Sequence, residues 1–292
     1  MSYTGRFAPS PSGRLHFGSL VCAVGSYLRA RSEGGRIYLR IEDLDFYRCK
    51  KEYTKIILQE LSELGFEYDG KLVIQSERTD FYKNRIDYLL KTEEAFYCTC
   101  TRAKLKTSPC TCSKIQKDII NELSYVQHSV RYISTNDETT LNFNDLLRGE
   151  IKGTIDDKFI TLKRADNVIA YNLGCVADDI EEEITEVVRG SDLIDITPVQ
   201  QSLYHSFKAS VPDYLHLPLV MQDEKYKLSK QNNSKAVMTL ASPAELLIKA
   251  LEFLNQDTAK LSVLMNVKDI LKKAADSFDI HKIPVNPKLS PI

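Results

Sequence analysis

The chain has almost no net charge: lysine and arginine total 39, aspartate and glutamate 40. No excess of either sign marks it as a binder of nucleic acid by bulk charge, although a local basic face would suffice for that. Long apolar runs are also missing. Met1–Gly13 holds no leader-type apolar segment, and nothing approaches the roughly 20 apolar residues of a membrane span. The expectation is a soluble, cytoplasmic protein with no membrane partner. No internal repeat and no low-complexity tract appears, which sets repeat arrays aside. Cysteine occurs in an odd number, 7, which argues against a complete disulfide framework. Four cysteines cluster at Cys98, Cys100, Cys110 and Cys112, while Cys22, Cys49 and Cys175 are scattered. That distribution suits a reducing compartment and one metal-type cluster.

What is present is an alternating rhythm over 292 residues, enough for two compact units. Tyr3–Phe7 reads as a strand. Leu20, Ala23, Val24, Tyr27 and Leu28 share a helical face that Gly34-Gly35 closes. Ile37, Leu39 and Ile41 alternate as a strand. Ile56–Leu64 is a helix, Leu72–Ile74 a short strand and Phe81–Leu90 a helix. This order is the signature of an α/β, doubly wound parallel sheet. The rhythm breaks after Tyr97, with strands expected at Val130–Ser134 and Phe159–Arg164. It resumes with a helix near Tyr171–Val176, the strand ITEVVRG, a helix over Pro198–Lys208 and the strand LHLPLVM. Helices follow, one with Ala244, Leu247, Ile248, Leu251 and Leu254 on a face, another over Val267–Phe278. The expected organisation is a Rossmann-type catalytic domain in two parts, residues 1–97 and 163–240. Between them lies an inserted metal-binding subdomain over 98–162, and a small helical C-terminal extension follows over 241–292. The acidic run DDIEEE, 178–183, reads as a solvated loop.

The stretch FAPSPSGRLHFGSL, Phe7–Leu20, places a strand, a Pro/Gly turn and a helix start in succession. Free N–H groups and the positive dipole end of a helix suit a phosphate. Gly13 and Gly18 allow close backbone approach, and His16 can donate a hydrogen bond to a phosphate or polarise one. The ordinary structural reading is that His16 caps the helix or packs. The Cys-x-Cys, nine residues, Cys-x-Cys pattern of 98–112 can wrap one tetrahedral Zn²⁺, with four protein ligands and no open position, hence a structural metal.

RFAPSPSGRLHFGSL resembles the first signature of the class I aminoacyl-tRNA synthetases, with Ser19 where that family has a second histidine. KLSKQ, Lys227–Gln231, resembles the second, a lysine loop that closes over ATP. Alone, that loop would read as a solvated lysine segment. RFAPSPSG, GGRIYLRIEDLD, ITEVVRGSDLI and TPVQQSLY are similar to the glutamyl branch, and the likeness spans roughly residues 3–235. Only 62 residues follow Lys230, 292 − 230, too few for a usual anticodon-binding region. The chain therefore resembles the truncated glutamyl-Q group of that branch.

The resemblance implies ATP-dependent activation of L-glutamate without tRNA, then transfer to the queuosine base in the anticodon of tRNA(Asp). It implies ATP with Mg²⁺ at His16, Gly18, Lys227 and Lys230, of which His16 and Lys230 are the catalytic positions. It implies glutamate at Arg6, Ala8, Ser10, Glu42, Tyr171 and Arg189: the arginines as cations for carboxylate, Glu42 for the ammonium, Ser10 and Tyr171 as hydrogen-bonding groups and Ala8 through its backbone. The ordinary reading of each arginine is a surface salt bridge, and of Glu42 a partner for Arg40 or Lys50. Asp43 and Asp45 read as structural. Relatives bind zinc in the inserted region, many with a later tyrosine ligand; no tyrosine lies between Cys100 and Cys112, so the second cysteine pair rests on local spacing. A monomer is expected. The rival readings are a truncated synthetase charging tRNA 3′ ends and a catalytically silent RNA-binding paralogue.

Overall fold

The computed structural model describes residues 2–108, 110–112, 128–133, 141–155, 159–223, 226–228 and 235–292. Strand β1, Thr4–Phe7, leads through the Pro/Gly turn into α1, Phe17–Ser32, and β2, Arg36–Ile41, returns parallel to β1 with Thr4 opposite Arg36 and Phe7 opposite Leu39. Helix α1 buries Leu20, Ala23, Val24, Tyr27 and Leu28, the face its spacing implies. Gly25 lets it approach the sheet closely, since a Cβ there would lie 2.6 Å from Leu217 Cδ1. Gly34, with φ +61°, closes the helix. Helix α2, Lys51–Glu63, precedes β3, Val73–Ile74, which extends the sheet parallel to β2, and α3, Thr79–Lys91, follows.

The interruption begins with β4, Ala95–Cys98, and a short helix α4, Arg102–Thr107. Strand β5, Ser129–Ile133, comes next. Strands β6, Phe143–Asp145, and β7, Gly149–Ile151, form a hairpin, and β8, Phe159–Lys163, returns beside β5. Strands β4, β5 and β8 make an antiparallel sheet. The hairpin instead joins the parallel system, with Tyr214 paired to Asp145. The region 98–162 thus supplies both a separate sheet and an edge of the main one.

Helix α5, Tyr171–Glu181, leads to β9, Glu186–Gly190; α6, Thr197–Ser206, leads to β10, Asp213–Leu217. Strands β9 and β10 run parallel, and the sheet order is β7-β6-β10-β9. The start of β9 meets β1: Thr185 N donates to Thr4 O at 2.9 Å, and Thr4 N to Thr185 Oγ1 at 2.9 Å. The sequence LHLPLVM is broken at Pro218, which has no N–H for a ladder, so β11, Val220–Met221, is a separate strand. Helices α7, Pro243–Phe253, and α8, Val267–Asp276, pack back on α1; the Phe17 and Phe253 rings meet edge to face at 6.0 Å. Strand β12, Lys288–Leu289, pairs parallel with β11.

The acidic run requires a correction. Asp178 and Asp179 are buried in α5, which continues through Glu181. Their carboxylates meet arginines from the first strands. Asp179 Oδ1 accepts from Arg6 Nε at 3.1 Å and Arg40 Nη2 at 2.7 Å. Asp178 accepts from Arg78, Gln75 and Tyr82 at 2.7–2.8 Å, and Glu182 pairs with Arg40. The buried guanidiniums of Arg6 and Arg40 demand anions, and α5 carries them inward. Among the described residues, no helix is long and apolar enough to cross a membrane.

Candidate active-site cleft and cysteine cluster

The carboxyl ends of β1, β9 and β10 open on a cleft of about 420 Å³, bordered by Arg6, Ala8, Ser10, His16, Gly18, Tyr171, Arg189 and Lys227. An adjoining cavity of about 320 Å³ shares Ser10, Ser12, Arg48 and Tyr171 with it and adds Glu42. Parallel α/β sheets bind ligands at this edge because loops and helix N-termini converge there. The predicted glutamate- and ATP-site residues among those described therefore line these two spaces, whereas the four cysteines lie elsewhere. Lys230 lies outside the described residues.

His16 is the N-cap of α1, its Nδ1 accepting from Ser19 N at 3.2 Å. The capping role and the cleft role coexist. With Nδ1 an acceptor, the neutral ring carries its proton on Nε2 and offers an N–H donor. Gly18 makes room for this ring: a Cβ there would sit 3.1 Å from His16 Cε1 and Nδ1. Across the cleft, Lys227 Nζ donates to Asp192 Oδ2 at 2.5 Å.

The other end is dominated by charge. Arg6 is buried, with Nε on Asp179 and Nη1 on the Val188 carbonyl at 3.3 Å. Arg40 lies among Asp178, Asp179, Glu182 and Glu42, with Glu42 Oε1 at 3.4 Å from its Nη2. In this cluster three cations, Arg6, Arg40 and Arg78, face four carboxylates, Asp178, Asp179, Glu182 and Glu42. Burial pushes the Glu42 carboxyl up to about 7, although Arg40 and Arg6 pull the other way. Asp179 is also buried, yet Arg6 and Arg40 outweigh that and hold it below the usual carboxylate range. When all four carboxylates are ionised the cluster carries one more anion than cation, and the ionised form of Glu42, beside the cavity, suits an ammonium.

Arg189 differs. It is 5% exposed, and no carboxylate pairs with it among the described residues. Nε donates to His216 Nε2 at 3.1 Å and Nη1 to Gln200 Oε1 at 2.6 Å. Nη2 donates to Thr197 Oγ1 at 2.9 Å and the Leu193 carbonyl at 3.3 Å. A buried cation with only neutral partners beside a cleft is the chemistry of an anion site. The sequence reading does not reach His216, Gln200, Thr197, Arg48 or Asp192. A histidine inside the apolar run LHLPLV is the one local signal, a polar ring in a buried strand that needs partners.

The four cysteines converge as well. Sγ separations are 3.7 Å for Cys98–Cys110, 3.8 Å for Cys100–Cys110 and 3.6 Å for Cys100–Cys112. All four sulfurs lie within 4.8 Å of one another, and none is in a disulfide. Sulfurs placed about 2.3 Å from a central Zn²⁺ form a tetrahedron with edges of about 3.8 Å. The donor set and its spacing therefore fit that ion. Cys100 N lies 3.4 Å from Cys98 Sγ, a donor that would ease thiolate charge. Thr101 caps α4 between the pairs, accepting from Lys104 N at 3.2 Å.

The model of tRNA synthetases class I (E and Q), catalytic domain, matches residues 3–284. The glutamyl-Q tRNA(Asp) synthetase of Photobacterium profundum is 41% identical over 288 residues, covering 97% of this chain and 90% of that protein. The glutamyl-Q tRNA(Asp) synthetase of Escherichia coli (strain K12) is 39% identical over 286 residues, covering 97% and 91%. A crystal structure of a glutamate tRNA ligase from Elizabethkingia meningosepticum, in complex with its amino acid, superposes with a TM-score of 0.82 at 23% identity. It covers 99% of this chain and 67% of that one, a likeness of fold.

Proposed function

The chain belongs to the class I tRNA synthetases of the glutamyl and glutaminyl type and, within them, to the glutamyl-Q tRNA(Asp) synthetases; on that premise we propose that it activates L-glutamate with ATP and passes the glutamyl group to queuosine in the anticodon of tRNA(Asp). The observation that carries the activation step is the distribution of charge along one cleft. A helix N-terminus with His16, Gly18 and Lys227 borders it for the triphosphate, and the buried, acid-free Arg189 borders it for a carboxylate. Glu42 and Tyr171 continue into the adjoining cavity.

In the first step an α-carboxylate oxygen of glutamate attacks the α-phosphorus of ATP, and the bond to the bridging oxygen breaks to release pyrophosphate. No covalent bond to the protein is needed, so rate comes from positioning and from donors aimed at the charge that develops on the phosphates. The Nε2–H of His16 and the free N–H groups at the start of α1 supply fixed donors. Lys227 supplies a mobile charge once phosphate oxygens compete with Asp192 for it, and Lys230 supplies a second. Mg²⁺ bound with ATP would share the phosphate charge. Arg189 takes the side-chain carboxylate, because Arg6 is already engaged by Asp179. Glu42 takes the ammonium, with Ser10, Tyr171 and the Ala8 backbone completing the pocket.

Cys98, Cys100, Cys110 and Cys112 would hold one structural Zn²⁺, whose bonds would tie the end of β4 to the segment after α4. Residues 98–162 act as the inserted subdomain between the catalytic halves 1–97 and 163–240, with 241–292 as the helical extension. The enzyme works as a cytoplasmic monomer, where these thiols stay reduced.

The test is a transfer assay with labelled glutamate on queuosine-containing and queuosine-lacking tRNA(Asp). Label is expected only on the queuosine-containing tRNA, and after nuclease digestion it should remain with the anticodon-loop fragment rather than the 3′ end. Label at the 3′ end of unmodified tRNA would instead identify an ordinary charging enzyme. Metal is checked separately: one zinc per chain is expected by atomic emission, lost in Cys98→Ser.

A further inference from the structure

Arg189 is held by a shell with an unusual property: every acceptor is neutral. Four of its five N–H groups are taken by His216, Gln200, Thr197 and the Leu193 carbonyl. The fifth, on Nη1, and the whole unit charge remain beside the cleft that Arg189 lines. The Tyr214 ring adds a face 5.4 Å from Cζ.

The partners are themselves fixed. Gln200 Nε2 donates to Asn172 Oδ1 at 3.3 Å, which turns the Gln200 oxygen toward Arg189. His216 Nδ1 lies 2.8 Å from Asp145 Oδ2, so that nitrogen carries the proton and Nε2 keeps a lone pair for Arg189. Burial favours this neutral ring. Asp145 is an anion bonded directly to this shell, yet its charge is spent elsewhere. It accepts from His216 N at 2.9 Å and from Leu147 N and Arg148 N at 3.0 Å each, and it pairs with Arg148 at 3.6 Å. Thus Asp145 orients the imidazole without neutralising Arg189.

We propose that Gln200, His216 and Asp145 are positioning residues that hold the Arg189 guanidinium rigid while keeping its charge uncompensated, so that the carboxylate of the amino-acid substrate supplies the missing anion. This rests on the reading that Arg189 meets that carboxylate. A core arginine whose role is only to hold the fold gains from an acidic neighbour. A substrate-reading one loses by it, because the internal carboxylate competes with the ligand.

The discriminating variant is Gln200→Glu, which keeps the side-chain length and puts a carboxylate where Oε1 now lies, 2.6 Å from Nη1. In tRNA-free pyrophosphate exchange, the KM for glutamate is expected to rise about 10- to 100-fold, with the KM for ATP within about twofold and the melting temperature unchanged or higher. A glutamate KM within about twofold of the parent overturns the proposal, as does a parallel fall in both substrates' parameters and in melting temperature. Should Gln200→Glu fail to fold, His216→Asn decides. It retains an N–H toward Asp145 and removes the acceptor from Nε, and the glutamate KM should rise about 5- to 20-fold; an unchanged value overturns the proposal. Arg189→Met separates the two levels. If it leaves glutamate KM unaltered, the reading of Arg189 itself fails; if it is impaired while Gln200→Glu is not, only the neutral shell fails.

Discussion

Arg40 and Arg189 occupy the same kind of place, buried in strands of the parallel system, at 0% and 5% exposure. Arg40 is surrounded by Asp178, Asp179, Glu182 and Glu42, whereas Arg189 meets a histidine, a glutamine, a threonine and a carbonyl. The difference separates two uses of one residue. Removing a cation from among buried anions leaves them uncompensated, so Arg40 holds the fold and tunes Glu42. Removing a cation from among neutral dipoles leaves unpaired acceptors but no bare charge, so Arg189 can carry its charge for something that comes and goes.

The contrast can be broken by substitution. The largest effect is expected at Arg40→Met, where Glu182 and Glu42 lose their paired cation and Asp178 and Asp179 each lose one of two; stability should fall by about 3–5 kcal/mol, read from a denaturant midpoint. At Arg189→Met, by contrast, neutral acceptors lose a donor but no carboxylate is left bare, and stability should fall by less, about 1–3 kcal/mol. Its kcat/KM for glutamate in pyrophosphate exchange should fall by about 10²- to 10³-fold. Equal stability losses in the two variants would erase the distinction.

Glu42 offers a third test through pH. Its carboxyl titrates near 7 in the folded chain, raised chiefly by burial. In the unfolded chain a glutamate titrates near 4.3. The folded form therefore holds the proton more tightly. The associated stability is full below the unfolded value and is lost as pH rises through about 7. Glu42→Gln should accordingly stabilise the ligand-free protein by about 2–4 kcal/mol at pH 8 and hardly at all at pH 4. Glutamate binding by the parent should weaken as pH falls below about 7, because the ammonium needs the ionised form. A Glu42→Gln variant no more stable than its parent at pH 8 would show that the anion is already compensated. The smallest effect concerns the other end of the cleft. Gly18→Ala crowds the His16 ring at 3.1 Å and should raise the KM for ATP about 3- to 10-fold while sparing that for glutamate.

Much of this is legible in the sequence, for identifiable reasons. The β1–α1 turn is local: its prolines, glycines and histidine act within about a dozen residues, so Phe7–Phe17 reads correctly without tertiary knowledge. The cysteine spacing is local too, and the sulfurs converge at 3.6–3.8 Å. Asp178 and Asp179 mislead because an acidic run on a helix end looks solvated until Arg6 and Arg40 are known to be buried opposite it. The signal lies in RIYLRI: Arg40 between Leu39 and Ile41 in a strand buried on both faces requires an anion from elsewhere. The β6–β7 hairpin escapes notice because three-residue strands rich in Asn, Asp and Glu lack apolar alternation; only the turn at Gly149, with φ +70°, marks it. Of the shell around Arg189 only His216, inside LHLPLV, leaves a trace in the sequence, since Asp145 and His216 reach the site through strand order and Gln200 through the packing of α6.

On the proposed function, Arg189 waits in the cleft as an uncompensated cation for a carboxylate. The most direct measurement is tRNA-free ATP–pyrophosphate exchange with L-glutamate and L-glutamine compared at equal concentrations. Exchange should be at least about 100-fold faster with glutamate, since a neutral amide leaves Arg189 without its anion. Equal exchange with the two amino acids, or none with either, would contradict it.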